Sequence, residues 1–384
     1  MRSYRIAMVM GCPFPAAQGT QVLVEQMSRA LTSRGHDVHI VAYHYGDPNR
    51  SSDLPIHRTS NFPSYRRIRS GPDWRKPILD WSLTRTLLRV VKDHDIDVIH
   101  AHNYEAPLAA YVVRRKTGIP VIYHAHNMLG EELPTYFRTP WVRSGMRSLG
   151  HALDSYVPPR GNLCLALTSG IRDAMILRGA CQEKTLCVPP AIESLPGNGH
   201  QPFPVPTAIY QGNLDGYQNL EFLLDAWKLV AAAVPKSRLV IVTHGDGSSF
   251  RGRLRRRRMP SRIDIMDRLT FSHSLEFLLR SQVAVNPRFG WWGFPIKLLN
   301  YMETGRAIVS CRGSAQGLRH LENAWIADNG DLEHFAEGII ELLSNPGLAL
   351  QLGAAARNTA EDEFSWSQMV PRMEEAYERV IDGV

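Results

Sequence analysis

Short apolar runs alternate with longer helical segments along almost the whole chain, and the alternation happens twice. In the first half the runs are residues 5–10, 38–41, 98–100, 121–123 and 163–166; in the second they are 208–210, 239–242, 283–285 and 307–309. Most are apolar on both faces, which suits strands covered by helices on each side of a parallel sheet. Between them, capping residues delimit helices over about residues 20–34, closed by Gly35, then 220–234, 331–343 and 348–361. A Pro- and Gly-rich stretch without period, 189–206, separates the halves and reads as a linker. The chain is therefore expected to form two doubly wound α/β domains, 1–190 and 207–364. A last segment, 365–381, carries Trp366, Met369, Val370, Met373, Tyr377 and Val380 at helical spacing. At 384 residues it is long enough to bury two cores.

Composition excludes several classes. An apolar fraction of 44% with 21% charged residues rules out wholesale disorder. No window approaches the roughly twenty apolar residues of a membrane span, and residues 1–10 read as a buried strand rather than a secretory signal. Cys12, Cys164, Cys181, Cys187 and Cys311 are scattered, odd in number and without metal-ligand spacing, so a reducing cytoplasm is expected. The net charge of +7 is unevenly placed. Arg66, Arg67, Arg69, Arg75 and Lys76, with Phe62, Tyr65, Ile68 and Trp74 among them, suit contact with an anionic bilayer through 62–76. Arg251, Arg253 and Arg255 to Arg258 read as a solvated face, and no nucleic-acid module is present.

Ligands of open α/β sheets bind beyond the carboxyl ends of the strands, so residues placed just after strands matter most. The first strand leads to Gly11-Cys-Pro-Phe-Pro-Ala-Ala-Gln-Gly19-Thr20, where backbone and a hydroxyl at a helix start could meet an anion; this is neither a dinucleotide fingerprint nor a P-loop. Two pairs, His100-Ala-His102-Asn103 and His124-Ala-His126-Asn127, end neighbouring strands with both rings of a pair on one face. A metal site would need a carboxylate that the pattern does not supply. His126 reads as a donor to a sugar hydroxyl or a developing charge, while His100 and His124 suit satisfied core histidines. In the second half the strand-end segments are Gly212-Asn-Leu-Asp-Gly-Tyr-Gln-Asn219 and His244-Gly-Asp-Gly247. Another runs from Asn286 to Gly305. There Pro295 stands where a first helical residue is expected and Lys297 lies just inside, making the helix start a seat for phosphate.

In this order the segments resemble the retaining glycosyltransferases of family four, of GT-B fold: a glycine loop, a strand ending in His, a G-x-L turn, G-D-G, G-F-P-x-K-L-L-x-Y-M-x-x-G, and F-S-W before a last helix. The resemblance implies two Rossmann-like domains across a cleft, with the last helix (365–384) crossing back to the first. It implies a UDP- or GDP-linked sugar held by the second domain, an acceptor held by the first, and neither cofactor nor metal. Carried over, Gly19 and Thr20 match the loop near the donor phosphates, His126 the histidine at the donor sugar, and Gly245, Asp246 and Gly247 the turn near the base. Gly293, Phe294, Pro295, Ile296 and Lys297 match the donor loop. Gly212, Asn213, Gln218 and Asn300 complete the expected donor set, and His102, Asn103 and Asn127 the acceptor set.

The departures bear on chemistry. The family's arginine and lysine near the leaving diphosphate are here Asn213 and Gln218, and its paired glutamates are Trp292 and Asn300. Arg288 and Lys297 are the expected replacement cations, so His126, Lys297 and Arg288 are the candidate catalytic residues. The expected activity is transfer of a sugar to an acceptor hydroxyl in polysaccharide, glycolipid or other glycoconjugate synthesis, with a lipid-linked acceptor at the cytoplasmic face of the membrane. The alternative is a catalytically silent subunit that binds or activates a partner transferase.

Overall fold

The structure is a computed structural model that describes residues 2–16, 18–48, 50–61, 71–195, 200–257, 259 and 262–383. The chain divides into two compact units. Unit 1 comprises Met1–Ala191, Trp292–Phe294 and Trp366–Val384; unit 2 comprises Ile192–Trp291 and Pro295–Ser365.

Unit 1 is built from β1 (Arg5–Met10), α1 (Gly19–Ser33), β2 (Asp37–Ala42), β3 (Ile56–Arg58), α2 (Lys76–Asp93), β4 (Val98–His102), α3 (Glu105–Thr117), β5 (Val121–Ala125), α4 (Leu129–Glu132), α5 (Pro140–Tyr156), β6 (Leu163–Ala166), α6 (Ser169–Leu177) and β7 (Thr185–Cys187). Its strands run in parallel in the order β3-β2-β1-β4-β5-β6-β7. The order reverses between β1 and β4, paired from Ile6↔Val98 to Met10↔His102, so the loops after these two strands flank the topological switch point. Every residue of β4 and β5 is buried, as helices on both faces require.

Unit 2 follows with β8 (Thr207–Gln211), α7 (Leu220–Ala233), β9 (Arg238–Val242), α8 (Ser248–Arg257), β10 (Arg262–Met266), α9 (Phe271–Arg280), β11 (Val283–Asn286), α10 (Lys297–Glu303), β12 (Ala307–Cys311), β13 (Trp325–Ala327), α11 (Leu332–Ser344) and α12 (Pro346–Glu363). The parallel order is β10-β9-β8-β11-β12-β13, with the reversal between β8 and β11. One core is packed here around fully buried Trp227, with Tyr210, Phe250 and Phe335. The final helix, α13 (Trp366–Ile381), belongs to unit 1, where Met369, Val370, Met373, Ala376 and Tyr377 are buried. The molecule is thus a pair of Rossmann-like domains with a last helix that returns to the first, the GT-B architecture.

No helix among the described residues is long and apolar enough to cross a membrane. All five cysteines are free.

Candidate active site

In unit 2 the switch point is bordered by the loops after β8 and β11, and both carry predicted residues. Gly212 follows β8 with φ of 151°, and a Cβ there would stand 3.0 Å from the Tyr210 hydroxyl and 3.4 Å from Lys297 Nζ. Only glycine lets the chain turn this close to the amine. The Tyr210 hydroxyl donates to Asn213 O at 2.7 Å, and Asn213 Nδ2 donates to the Tyr217 hydroxyl at 2.8 Å, which fixes the turn. Lys297 Nζ lies 4.1 Å from the centre of the Tyr210 ring and donates to Gln218 Oε1 at 2.7 Å. Burial, together with the nearby Arg288 charge, holds its pKa well below the ordinary lysine value. Arg288, itself only 8% exposed, places its guanidinium 5.4 Å from the Tyr217 ring centre. Two basic side chains therefore converge on the 212–218 turn.

The helix that carries Lys297 differs from expectation. α10 begins at Lys297 rather than Pro295, because Leu298 N bonds to Pro295 O at 2.8 Å and Leu299 N to Ile296 O at 3.1 Å. The lead-in is a tight turn in which Leu298 N and Leu299 N find their partners three residues back. The basic group at this point is the Lys297 side chain. Pro295 and Ile296 form the lead-in, and Asn300 sits half-buried in the middle of the helix.

After β9, Gly247 N donates to Asp267 Oδ2 at 2.9 Å, and a Cβ on Gly247 would approach Ile265 Cγ2 to 3.0 Å. Asp246 accepts from Ser248 N at 3.0 Å and from its hydroxyl at 2.8 Å, so its carboxylate caps the start of α8. Gly245 N donates to Thr243 Oγ1 at 3.3 Å. Three arginines of α8 pair with carboxylates: Arg251 with Asp267 at 2.7 Å, Arg253 with Glu221 at 3.7 Å, and Arg257 with Glu221 at 2.6 Å and Asp225 at 3.0 Å. Arg258 lies outside the described residues.

In unit 1, α1 starts at Gly19 with Gln18 as N-cap; no side chain caps it and no acidic residue occupies its first turn, which holds Thr20. His126 follows β5 and is nearly buried, with Nε2 3.0 Å from His102 Nδ1. His102, expected in the acceptor set, stands behind His126. It is fully buried, one nitrogen against His126 and the other 3.4 Å from Met8 Sδ, so it orients His126 from behind. His100 and His124 are fully buried and bonded to each other at 3.0 Å. Asn103 adopts a left-handed conformation with φ of 62°. The Asn127 side-chain amide donates to Glu132, so it braces α4. Gly293 bridges Asn127, Met128 N bonds to Trp292 O at 3.0 Å, and Phe294 is buried; these three loop residues are part of unit 1.

The profile of Glycosyltransferase Family 4 matches residues 17–194, and that of Glycosyl transferases group 1 matches residues 205–345. The chain belongs to glycosyltransferase family 4. Among its relatives, a phosphatidyl-myo-inositol mannosyltransferase of Mycobacterium tuberculosis is 24% identical, over 98% of this chain and 97% of that protein. A D-inositol 3-phosphate glycosyltransferase of Acidothermus cellulolyticus is 24% identical over 92% and 84%. In fold, this glycosyltransferase resembles the sucrose-phosphate synthase of Thermosynechococcus elongatus with a TM-score of 0.78, at 15% identity and full coverage of both chains. Anabaena HepE in complex with UDP and glucose gives 0.76 at 13% identity, over 97% and 98%.

Within this family 4 glycosyltransferase, two groups near strand ends escaped the sequence reading. Asp154, fully buried on α5, accepts from Leu129 N and Gly130 N at 2.9 Å each and from the Tyr104 hydroxyl, so it fixes the chain just beyond His126. Gly150 makes this approach possible, since a Cβ there would lie 2.6 Å from Gly130 Cα. Around the β1 and β2 ends, Lys76 Nζ bonds to Glu105 Oε1 at 2.5 Å and the Tyr43 hydroxyl to Asp80 Oδ1 at 2.6 Å. Nothing in the local sequence of α2 or α5 announces these partners, which are 24 to 50 residues distant. Of the basic segment 62–76, residues 62–70 lie outside the described residues; Arg75 pairs with Asp73 at 3.0 Å and Trp74 is 80% exposed.

Proposed function

We propose that this glycosyltransferase is a retaining enzyme that moves a sugar from a UDP- or GDP-linked donor to an acceptor hydroxyl in glycoconjugate synthesis, without a metal. The observation that carries the reading is the 2.7 Å contact of Lys297 Nζ with Gln218. By resemblance, position 218 is where the family places a lysine against the leaving diphosphate. Lys297 brings its amine from the other side of the switch point to that same place, where the negative charge of a bound diphosphate would offset burial and favour the protonated form; Gly212 leaves the backbone low enough to admit it, and Arg288 adds a second basic group. The charge lost at 213 and 218 is thereby supplied from 288 and 297, which removes the motive for reading the chain as a silent subunit.

The chemistry needs little more. The bond between the anomeric carbon and the diphosphate oxygen breaks, and negative charge builds on that oxygen. The acceptor oxygen attacks the same face of the sugar, and its proton passes to the departing phosphate oxygen. The protein's part is to hold fixed positive charge where the leaving group develops, in a site poor in water. His126, held by His102, would meet the sugar. Relatives named for phosphatidyl-myo-inositol and for UDP complexes support a lipid-linked acceptor and a uridine donor.

Lys297→Met is expected to lower kcat about 10²–10³-fold, the loss typical of one oxyanion contact. In the same background Gln218→Lys should restore part of the rate, because an ammonium then returns to the same place from the family's usual position. Full activity in Lys297→Met would sink the assignment. Nucleoside diphosphates raise the thermal midpoint of a protein that binds them, so a UDP and GDP panel on wild type and Lys297→Met checks binding apart from turnover.

A further inference from the structure

Three histidines outside the candidate active site meet at the β3 edge of unit 1. His39 is the third residue of β2, His57 is the middle residue of β3, and His94 caps the carboxyl end of α2. One ring nitrogen from each lies within 4.8 Å of the others. The His39 and His94 ring centres are 4.2 Å apart, and those of His57 and His94 are 4.9 Å apart. Nitrogens bound to one zinc stand roughly 3.3 Å apart, given Zn–N of about 2.0–2.1 Å, so small rotations of the rings bring them onto a common ion.

We propose that His39, His57 and His94 form a binding site for a divalent transition metal that prefers imidazole, zinc above all. Three features distinguish this cluster from packed histidines. His39 is oriented by Asp37, whose Oδ2 is 3.2 Å from Nε2; that nitrogen donates, and the Nδ1 lone pair is turned toward His57 Nε2, 3.0 Å away. A carboxylate behind a ligating histidine is the usual arrangement for fixing tautomer and ring direction. His39 is buried, whereas His57 and His94 are half-buried on an edge strand and a helix end, which gives an ion a way in and leaves a fourth position for water. His94 also stands at the carboxyl end of an 18-residue helix, where the backbone favours positive charge.

The other histidine cluster lacks these features. His100, His102 and His124 are equally close but wholly enclosed, and both nitrogens of His100 and of His102 already face partners. The site proposed here lies toward the amino ends of the strands, where Asp37 opens β2 and His94 precedes β4. It is therefore toward the other end of the unit 1 sheet from His126, which follows β5, and it leaves the metal-independent reading of that reaction intact. An ion bound to three elements would clip the edge strand β3 to β2 and α2.

The test uses the full chain stripped of metal by chelator, titrated with zinc by calorimetry and with cobalt(II) by visible spectroscopy. A single equivalent is expected to bind, with cobalt bands of a tetrahedral nitrogen-rich site and a zinc-dependent rise in thermal midpoint. His57→Asn and His94→Gln should each abolish binding while leaving the metal-free thermal midpoint in place. Asp37→Asn should weaken affinity by about 10–100-fold, the usual cost of losing such a support. No binding at micromolar zinc, or binding that survives both histidine substitutions, overturns the proposal.

Discussion

Asp80 shows how one side chain at a strand end carries a readable electrostatic signature. Its carboxylate accepts from the Tyr43 hydroxyl at 2.6 Å, close to Glu105 and Lys76. Burial, reinforced by the Glu105 charge, pushes the Asp80 carboxyl up to about 7, against smaller opposing effects of Tyr43 and Lys76. For Glu105, burial is the largest effect and also pushes upward, but the Lys76 ammonium and hydrogen bonds from backbone N–H groups together outweigh it, and that carboxyl falls below its usual range. The sign for Asp80 follows from linkage. The folded protein holds the proton up to about pH 7, whereas the unfolded chain releases it near 4, so this group makes stability fall as pH rises between those values. Asp80→Asn keeps an acceptor for Tyr43 and removes the charge. It should raise stability at pH 8 by roughly 1–3 kcal/mol, given ~1.36 kcal/mol per pKa unit and partial exposure, and by almost nothing at pH 4. Urea midpoints at the two pH values measure this, and an equal gain at both would contradict it.

Helix α13 illustrates what an element contributes and how much of it the sequence made legible. The spacing of Met369, Val370, Met373 and Tyr377 shows a helix with one apolar face, and that face is buried in unit 1. What the spacing does not show is the polar lock. The Tyr377 hydroxyl meets His100 Nδ1 at 2.8 Å, and Glu374 pairs with Arg34 at 2.9 Å and His36 at 3.1 Å. Tyr377→Phe leaves a fully buried imidazole without that partner, so a loss of about 1–3 kcal/mol is expected. A urea midpoint unchanged from wild type would show that the hydroxyl adds nothing. The same contrast holds across the fold. Central strands such as β1, β4 and β9 were legible because burial on both faces makes them continuous apolar runs. The edge strands β3, β7, β10 and β13 were not, since three are only three residues long and β10, Arg-Ile-Asp-Ile-Met, is half-exposed. In the site, Lys297 and Arg288 were legible as basic residues in the segment after β11, but the reach of Lys297 to Gln218 spans 79 residues and exists only once β8 and β11 are neighbours.

At the scale of the molecule, the proposal of a lipid-linked acceptor predicts that a face of this protein binds anionic membrane, and charge with exposed aromatics gives a face on which to test it. The chain carries +7 overall. On unit 1, α5 buries only Gly150 and Asp154 of its 17 residues, and presents Trp141, 78% exposed, and Leu149 with exposed Arg143 and Arg147. Pro140, Arg143, Ser144 and Arg147 line a shallow recess there. Trp74, Ile78 and Trp81 are exposed around the start of α2. Arginine cups with indole rings beside them suit anionic headgroups and the interfacial layer, whereas no described helix suits the bilayer interior. Sedimentation with vesicles containing anionic phospholipid should therefore show binding at low salt. That binding should weaken as salt rises, because the screening length shrinks from about 10 Å at 0.1 M to about 3 Å at 1 M. Each of Arg143→Ala and Arg147→Ala should cost about 1 kcal/mol, near five-fold in partition. Trp141→Glu should lose more, since it removes the apolar anchor and adds a repelling charge. Transfer to a water-soluble acceptor analogue should be unaffected by all three, as α5 contributes no residue to the donor turn. Equal sedimentation of wild type and Trp141→Glu, or none at low salt, would rule out α5 as the docking face.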